Sequence, residues 1–570
     1  MASVFLADLD ADFIAPSQSC TNPLFSSDTQ SSSSATAVDS SQSAPGGKAK
    51  LDLAMEIDDG IKPDLIRSVT SNAPALGGAS QRTKATVSLN DCLACSGCVT
   101  SAETVLINQQ SKSKYFEALE SSAYGMVVIS TSPQSRSALA AHLRLPMASF
   151  LPRFTTFWKG LGAHYVTDTS VAADLTLVET AAEFVARYRQ RQPRKWAPPE
   201  TSVAISADRS QYPDRTRNTM DLGHGSESST NANDIVTDER SVYLYTSLPM
   251  LASACPGWVC YAEKTQPNVL PYISTVKSPQ QAMGSVLKLV LSRQMQIDPS
   301  SIFHVTVMPC FDKKLEASRR DFYHESEGFQ EVDLVLTTTE VLEMLTSCAT
   351  ESKLDPTSYF MALSETPLPS PADPIDGLLR SNWIISGQGL QLLSAQATIG
   401  GSGGYLEYVF RYAAKELFGV IIDANTPLAY RPGRNDDIKE LVLEKDGKPV
   451  LTFAIAYGFR NIQSVIQKMR RGRLPYEYVE VMACPSGCLN GGGQIKNAGP
   501  ETNSERRARV AQTQASFDEN RVAREPHESP LVGQLYSTIL GGKPFSDAAR
   551  KLLHTTYHNV PKMETTGPKW

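Results

Sequence analysis

Long apolar runs are missing from this sequence. No stretch of about 18 consecutive apolar residues occurs, so it offers no candidate transmembrane helix. A charge excess is missing too: 54 Lys and Arg against 60 Asp and Glu leave a formal net charge of −6. That balance gives no electrostatic reason to expect nucleic acid as a partner. The opening residues, MASVFLADLDADFIAPSQSC, contain three aspartates and no arginine. A mitochondrial transit peptide is Arg-rich and poor in acids, and a secretory signal has a basic start and a longer apolar core. Neither pattern fits, so the cytosol, with the nucleus as a second compartment, is the expected location, and no membrane is expected as a partner. What remains is ordinary for a globular chain: 570 residues, 41% hydrophobic and 20% charged, enough for two to four domains.

Residues 26–48 are Ser-rich, offer little apolar surface to bury and are expected to be disordered. A similar tract at about 190–240 separates a helical pattern, VAADLTLVETAAEFVARY, from an expected strand, SVYLYTS, and reads as a surface insertion. A Pro-rich loop, SETPLPSPADP, interrupts the chain at 364–374. Between these tracts YGMVVIS, SIFHVTVMP, VDLVLTT and EYVEVMA read as buried strands, and SPQQAMGSVLKLVLSRQM and LEYVFRYAAKELF as helices. Such alternation predicts an α/β fold with mostly parallel sheets flanked by helices. The expected organisation is a metal-binding N-terminal region over 1–110, large lobes over 111–480, and a Gly-rich loop with a helical tail over 481–570.

Cysteine is scarce, with ten at positions 20, 92, 95, 98, 255, 260, 310, 348, 484 and 488, but it is clustered. Disulfide frameworks belong to oxidising compartments, so clustering in this chain points to metal or catalysis. DCLACSGCVTSAE places Cys92, Cys95 and Cys98 at C-x2-C-x2-C, the spacing by which a short loop wraps an iron–sulfur cubane. The alternative is zinc, whose sites usually show two separated pairs. A bacterial ferredoxin would have its next cysteine, followed by proline, at the place held here by Ala102 and Glu103. Cys20 is the cysteine left in this part of the chain to complete the set. A second group is dispersed: Cys255 in ACPGW, Cys310 in VMPCFDKKLEA, and Cys484 with Cys488 in EVMACPSGCLNGGGQ. A lone cysteine is usually an inert buried thiol. Four in three turns marked by Pro or Gly, two of them just after expected strands, argue for a ligand site. Gly487, Gly491, Gly492 and Gly493 would let the backbone approach a large inorganic group. Cys260 and Cys348 lack such a context.

CPGW, MPCxxKKxE and MACPSGCLNGGGQ, in this order, resemble the three signature regions of iron-only hydrogenases. YISTVKSPQQAMGSVLK, VTDTSVAADLTLVETAAEF and KLLHTTYH are also similar to that superfamily. The resemblance implies a two-lobed α/β fold with a small N-terminal iron–sulfur appendage. It implies Cys255, Cys310 and Cys484 as ligands of a 4Fe–4S cluster, with Cys488 at the place that bridges to a di-iron unit in hydrogenases. Lys313 and Glu316 match the pair that follows the second signature cysteine, and Gly491 and Gly492 the glycines beside the cluster.

Three departures matter. Active hydrogenases read SCCP where this chain reads SACP, so Ala254 stands at the position that relays protons, and a methyl group carries none. Hydrogenases often have adjacent glutamates where this chain has Glu179 and Thr180, and Ile399 stands where an aromatic is expected. With DLDADFIAPSQSC preceding the triplet, the chain resembles the non-hydrogenase eukaryotic branch: cytosolic iron–sulfur protein assembly factors, related to nuclear prelamin A recognition factor, here of fungal type. The resemblance implies two 4Fe–4S clusters, no hydrogenase activity, and help in delivering clusters to cytosolic and nuclear apoproteins. The implied partners are an upstream cluster scaffold and a late-acting targeting complex, the latter recognising the terminal Trp570. A prelamin-binding relative and a working hydrogenase are the alternatives.

Overall fold

Runs of β-branched and apolar residues supply the strands in the computed structural model, which describes residues 106–121, 123–190, 248–365, 401–424, 426–497, 501–519 and 524–560. Cys20, Cys92, Cys95, Cys98, Ile399, Trp570, the tract 26–48 and the strand expected over 241–247 lie outside the described residues.

β1 (Met126–Thr131) is buried at every position, as suits a central parallel strand covered on both faces. Ser132 ends it, and its hydroxyl accepts the Ser135 N–H at 3.2 Å, capping α1 (Pro133–Leu143). α2 (Met147–Gly160) and β2 (Tyr165–Asp168) follow, then the long α3 (Ser170–Gln190). β3 (Met250–Ala252) leads into α4 (Pro256–Thr265), whose first residue is proline, a residue already shaped for a helix start. α5 (Pro279–Ser285) runs on into a π-helical stretch, Val286–Leu291. One α-helix was expected there. Within the π turn Lys288 is fully buried, its ammonium held by Asp333 at 2.8 Å and by the Ile302 carbonyl. Next come β4 (Ile302–Met308), α6 (Asp312–Ala317), β5 (Leu334–Thr337) and α7 (Thr338–Glu351). The rest of the lobes is α8 (Tyr405–Phe418), β6 (Arg431–Pro432), β7 (Ile438–Lys445), β8 (Lys448–Tyr457), α9 (Phe459–Arg470) and β9 (Tyr478–Met482).

Two sheets result. The first has the order β2-β1-β4-β5 and is parallel throughout. The second has the order β3-β9-β8-β7-β6; its β3-β9-β8 part is parallel, while the β8-β7 and β7-β6 pairings are antiparallel. The antiparallel edge comes from a two-residue turn, Asp446–Gly447, with φ of 54° and 72°. That Asp-Gly pair is the preferred chemistry for a tight hairpin.

Side chains alternate across the first sheet: Met126 and Val128 enter one apolar core, Val127 and Ile129 the other. The larger core gathers α3, α8 and the strands of the second sheet; the other packs α1, α2 and α7. The chain ends in α10 (Asn503–Asp518), α11 (Pro530–Thr538) and α12 (Asp547–Leu553). Beyond α12 it lies across the larger lobe, Thr555 N–H donating to the Thr275 carbonyl at 2.7 Å and Val560 N–H to that of Glu263 at 3.1 Å.

Candidate metal centre

Three strands of the two sheets deliver the dispersed cysteines. β3 ends at Ala252 and Cys255 follows; β4 ends at Met308 before Cys310; β9 ends at Met482 before Cys484. Ligand sites of α/β folds form at such carboxyl ends. Ser253 sets the first turn: its hydroxyl accepts the Cys255 N–H at 3.0 Å and donates to the Val481 carbonyl at 2.5 Å. The Ala483 N–H then points at the Cys255 sulfur, 3.4 Å away.

The CPSGCLNGGGQ loop folds sharply. Ser486 and Gly487 take φ of 60° and 72°, and the Gly487 N–H donates to the Cys484 carbonyl at 3.0 Å. Close packing demands glycine at 491, where a Cβ would stand 2.2 Å from the Pro309 carbonyl oxygen. Gly493 N–H donates to that same carbonyl at 2.9 Å, stitching the loop to the Cys310 turn. Gly492 has open space, with nothing nearer than Phe311 at 4.0 Å, and its N–H donates to Cys484. Arg509 of α10 braces the loop through the Asn490 side-chain oxygen at 2.8 Å while pairing with Glu501 at 2.8 Å.

Each of the four thiols stands within electrostatic range of at least two of the others. Burial pushes the Cys310 thiol pKa well up, and Asp312, Cys255 and Cys484 push it further. Burial does the same to Cys484, with Cys255 and Cys488 as neighbours. Cys488 is pushed up to about 12, by burial first and then Cys255. Burial and Asp312 raise Cys255, against N–H groups of Ala483 and Trp258 that pull it back. Thiols so arranged favour a positively charged inorganic partner over four separate charges. Among the described residues no three His, Cys, Asp or Glu side chains stand close enough to hold a single metal ion. An iron–sulfur cubane needs a wider set, four thiolates each meeting a different iron, with backbone N–H groups toward sulfur. The donor set and its N–H groups fit that group.

Lys313 and Glu316, both from α6, form an ion pair of 2.8 Å; Glu316 also accepts from Ser278 at 2.9 Å and Gln280 at 3.0 Å. Lys313, Gln280, Ala254, Ser402, Tyr405 and Cys488 line a cavity of about 60 Å³, room for roughly two waters. Ala254 also borders a cavity of about 30 Å³ beside Cys255, lined by Cys260, Glu316 and Arg319. Cys348 lies on α7 against the other core.

The glutamates of α3 are held elsewhere. Glu179 receives the Tyr536 hydroxyl, the Phe545 N–H at 3.1 Å and His554 Nε2 at 3.0 Å. Thr180 donates its hydroxyl to the Thr176 carbonyl at 2.6 Å, within its own helix. Glu183 pairs with Arg187 at 2.5 Å and accepts from Ser274 at 2.6 Å and Thr275 at 3.1 Å. Burial works to raise its pKa, but Arg187, His554 and the hydroxyls hold it below the ordinary value. Sequence reasoning missed Ser402, whose hydroxyl accepts the Cys488 N–H at 3.2 Å. The Gly-rich GGSGGY loop was its signal, and only the fold shows what it faces.

Residues 125–204 and 230–492 match the model of the iron only hydrogenase large subunit, C-terminal domain, and residues 503–560 that of the iron hydrogenase small subunit. A variant of apo FeFe-hydrogenase from Chlamydomonas reinhardtii superposes with a TM-score of 0.54 at 23% identity, covering 79% of this chain and 98% of that one. The fold is that of the iron-only hydrogenases. Full-length similarity is to a narrower group. The rat protein named cytosolic iron-sulfur assembly component 3 is 41% identical over 99% of both chains. The Dictyostelium discoideum probable cytosolic Fe-S cluster assembly factor narfl is 37% identical over 97% of this chain and 95% of its own. Protein NAR1 of Arabidopsis thaliana is 38% identical over 84% and 87%. The chain belongs to this family of cytosolic iron–sulfur assembly factors, built on the hydrogenase fold. No helix among the described residues is long and apolar enough to cross a membrane.

Proposed function

We propose that the protein is a cluster-binding carrier or adaptor that helps deliver 4Fe–4S clusters to cytosolic and nuclear apoproteins, without hydrogen chemistry of its own. Cys255, Cys310, Cys484 and Cys488 hold one 4Fe–4S cluster; Cys20, Cys92, Cys95 and Cys98 hold a second. When bound, such a cluster supplies one-electron chemistry and an inorganic core that thiolates of an acceptor can take over. The protein's own part is to keep four thiols convergent, to aim the Ala483 and Gly492 N–H groups at sulfur, and to leave the set no more than partly exposed. The observation that carries the reading is an intact ligand turn at each strand end beside Ala254 at the relay position. Its partners are an upstream scaffold and a late-acting targeting complex that captures Trp570.

Anaerobic reconstitution tests this. Iron and sulfide should correspond to two cubanes, the reduced protein should show the matching paramagnetic signals, and gas assays should detect no hydrogen uptake or evolution. Iron-bound cyanide or carbon monoxide bands in the infrared would overturn the reading. Deleting Trp570 should weaken capture by the targeting complex and leave iron content unchanged. Depletion in cells should impair cluster insertion into cytosolic clients.

A further inference from the structure

A row of hydroxyls leads away from Cys488, beginning at Ser402, which lines the same cavity as Lys313. The Cys488 N–H donates to Ser402 Oγ at 3.2 Å, which leaves the Ser402 proton available, and both the Cys488 sulfur and the Tyr457 oxygen lie within its reach. Tyr457, half-buried at the end of β8, donates its hydroxyl to Glu480 Oε1 at 2.8 Å. The Leu406 N–H satisfies the other oxygen, Glu480 Oε2, at 2.7 Å. Glu480 is 2% exposed in the middle of β9, and among the described residues no Lys, Arg or His pairs with it. The groups that face it are Tyr405 and Glu407 of α8, Tyr430, Tyr457 of β8, Tyr478 of its own strand and Cys488. None is cationic. A buried carboxyl so placed is costly as an anion.

We propose that Glu480 is a redox-linked proton site, tuning the cluster held at Cys488 through Tyr457 and Ser402. The proposal rests on reading Cys255, Cys310, Cys484 and Cys488 as cluster ligands. Each hydroxyl in the row has one proton, so the row has two settings. With Glu480 ionised, Tyr457 must donate to the carboxylate, and Ser402 is drawn to donate to the Tyr457 oxygen. With Glu480 protonated, the acid donates to Tyr457, Tyr457 donates to Ser402, and Ser402 donates to the Cys488 sulfur. A donor on a cluster thiolate stabilises the more negative, reduced state and raises the potential. Glu480 therefore takes up one proton from solvent for each electron that an external one-electron donor delivers to the centre; the O–H bond formed at the Glu480 carboxyl is the one bond made, and the Tyr457 and Ser402 hydroxyls only reorient. Burial first, and then Glu407, already push the Glu480 pKa up to about 7, against the Leu406 and Tyr457 hydrogen bonds.

The test uses the full chain carrying Cys95→Ala, so that one cluster contributes, reconstituted without oxygen and titrated with dithionite under paramagnetic detection. From about pH 6 to about pH 8.5 the midpoint potential should fall as pH rises, with a limiting slope of ~59 mV per pH unit for one proton per electron. Glu480→Gln should remove the slope with iron content unchanged. Tyr457→Phe and Ser402→Ala should also flatten it, and Ser402→Ala should lower the potential at acid pH. A flat wild-type profile, or a slope kept in Glu480→Gln, overturns the proposal while the cluster reading stands. A slope kept in Tyr457→Phe overturns the hydroxyl route. Wild-type protein that binds no iron at this centre overturns both the proposal and the functional reading.

Discussion

The two flanks of the cysteine centre differ in how they are wired. At the positions where the hydrogenase resemblance implies a relay, 254 carries a methyl group, Thr180 is turned onto its own helix, and Glu179 is held by Tyr536, Phe545 and His554. On the Cys488 flank Ser402, Tyr457 and Glu480 stand in an uninterrupted row. On the proposed reading one fold carries a broken relay and an intact one within a single site. The fold supplies the strand ends; the side chains between them decide which hydrogen bonds form there.

Removing the centre is the severest way to break this comparison. Cys310→Ala or Cys484→Ala should lose the cluster and lower folding stability by several kcal/mol, because metal binding at strand ends of both sheets is coupled to folding. Cys20→Ala or Cys95→Ala should lower iron yet leave a folded protein with the other cluster. Iron content and thermal unfolding across the four variants check this; equal instability in all of them would contradict it.

Glu183→Gln comes next. It leaves the Arg187 guanidinium buried and short of its countercharge, at a cost of about 3–5 kcal/mol in denaturant unfolding. The folded pKa of Glu183 is depressed, so its stabilisation is present above the ordinary carboxyl pKa and is lost as pH falls through the folded value. The variant should therefore flatten the acid limb of the stability profile.

Glu480 has the opposite sign. Its folded pKa is raised from 4.5 to about 7, so the folded state holds the proton longer and stability declines as pH rises across that window. The decline amounts to about 3 kcal/mol, and Glu480→Gln should remove it in denaturant unfolding measured at several pH values. A wild-type profile without that decline would argue that Glu480 is already ionised at low pH.

The smallest expected effect sharpens the contrast most. Ala254→Cys restores one position of the relay and should still give no hydrogen turnover, since Thr180 and the engaged Glu179 leave the next carriers missing. A positioned proton donor is typically worth ~10²–10⁴-fold in rate. Gas chromatography after reconstitution is the measurement, and detectable hydrogen would mean that position 254 alone, and not Thr180 or the engaged Glu179, withholds hydrogen chemistry.

Much of this was legible locally. The strand runs, the helix around Glu179 and Glu183, and the cysteine turns at 255, 310 and 484 follow from period, propensity and Pro or Gly punctuation. The Asp446–Gly447 hairpin was equally local but lay beside a parallel pattern that masked it. The π turn around Lys288 could not be read, because its buried ammonium is answered by Asp333 and Ile302 of later segments.

By itself, then, the sequence determined which thiols are available, which turns present them, and that position 254 cannot pass a proton, since each of these depends on a residue's own chemistry and its near neighbours. Tertiary structure alone decided what those groups meet. Ser402 reaches Cys488 across 86 residues, Leu406 reaches Glu480 across 74, and Glu179 is held by His554 across 375. Hydrogen bonds over such separations depend on how sheets and helices stack rather than on local pattern, so the same glutamates could be free carriers in one packing and fixed struts in another.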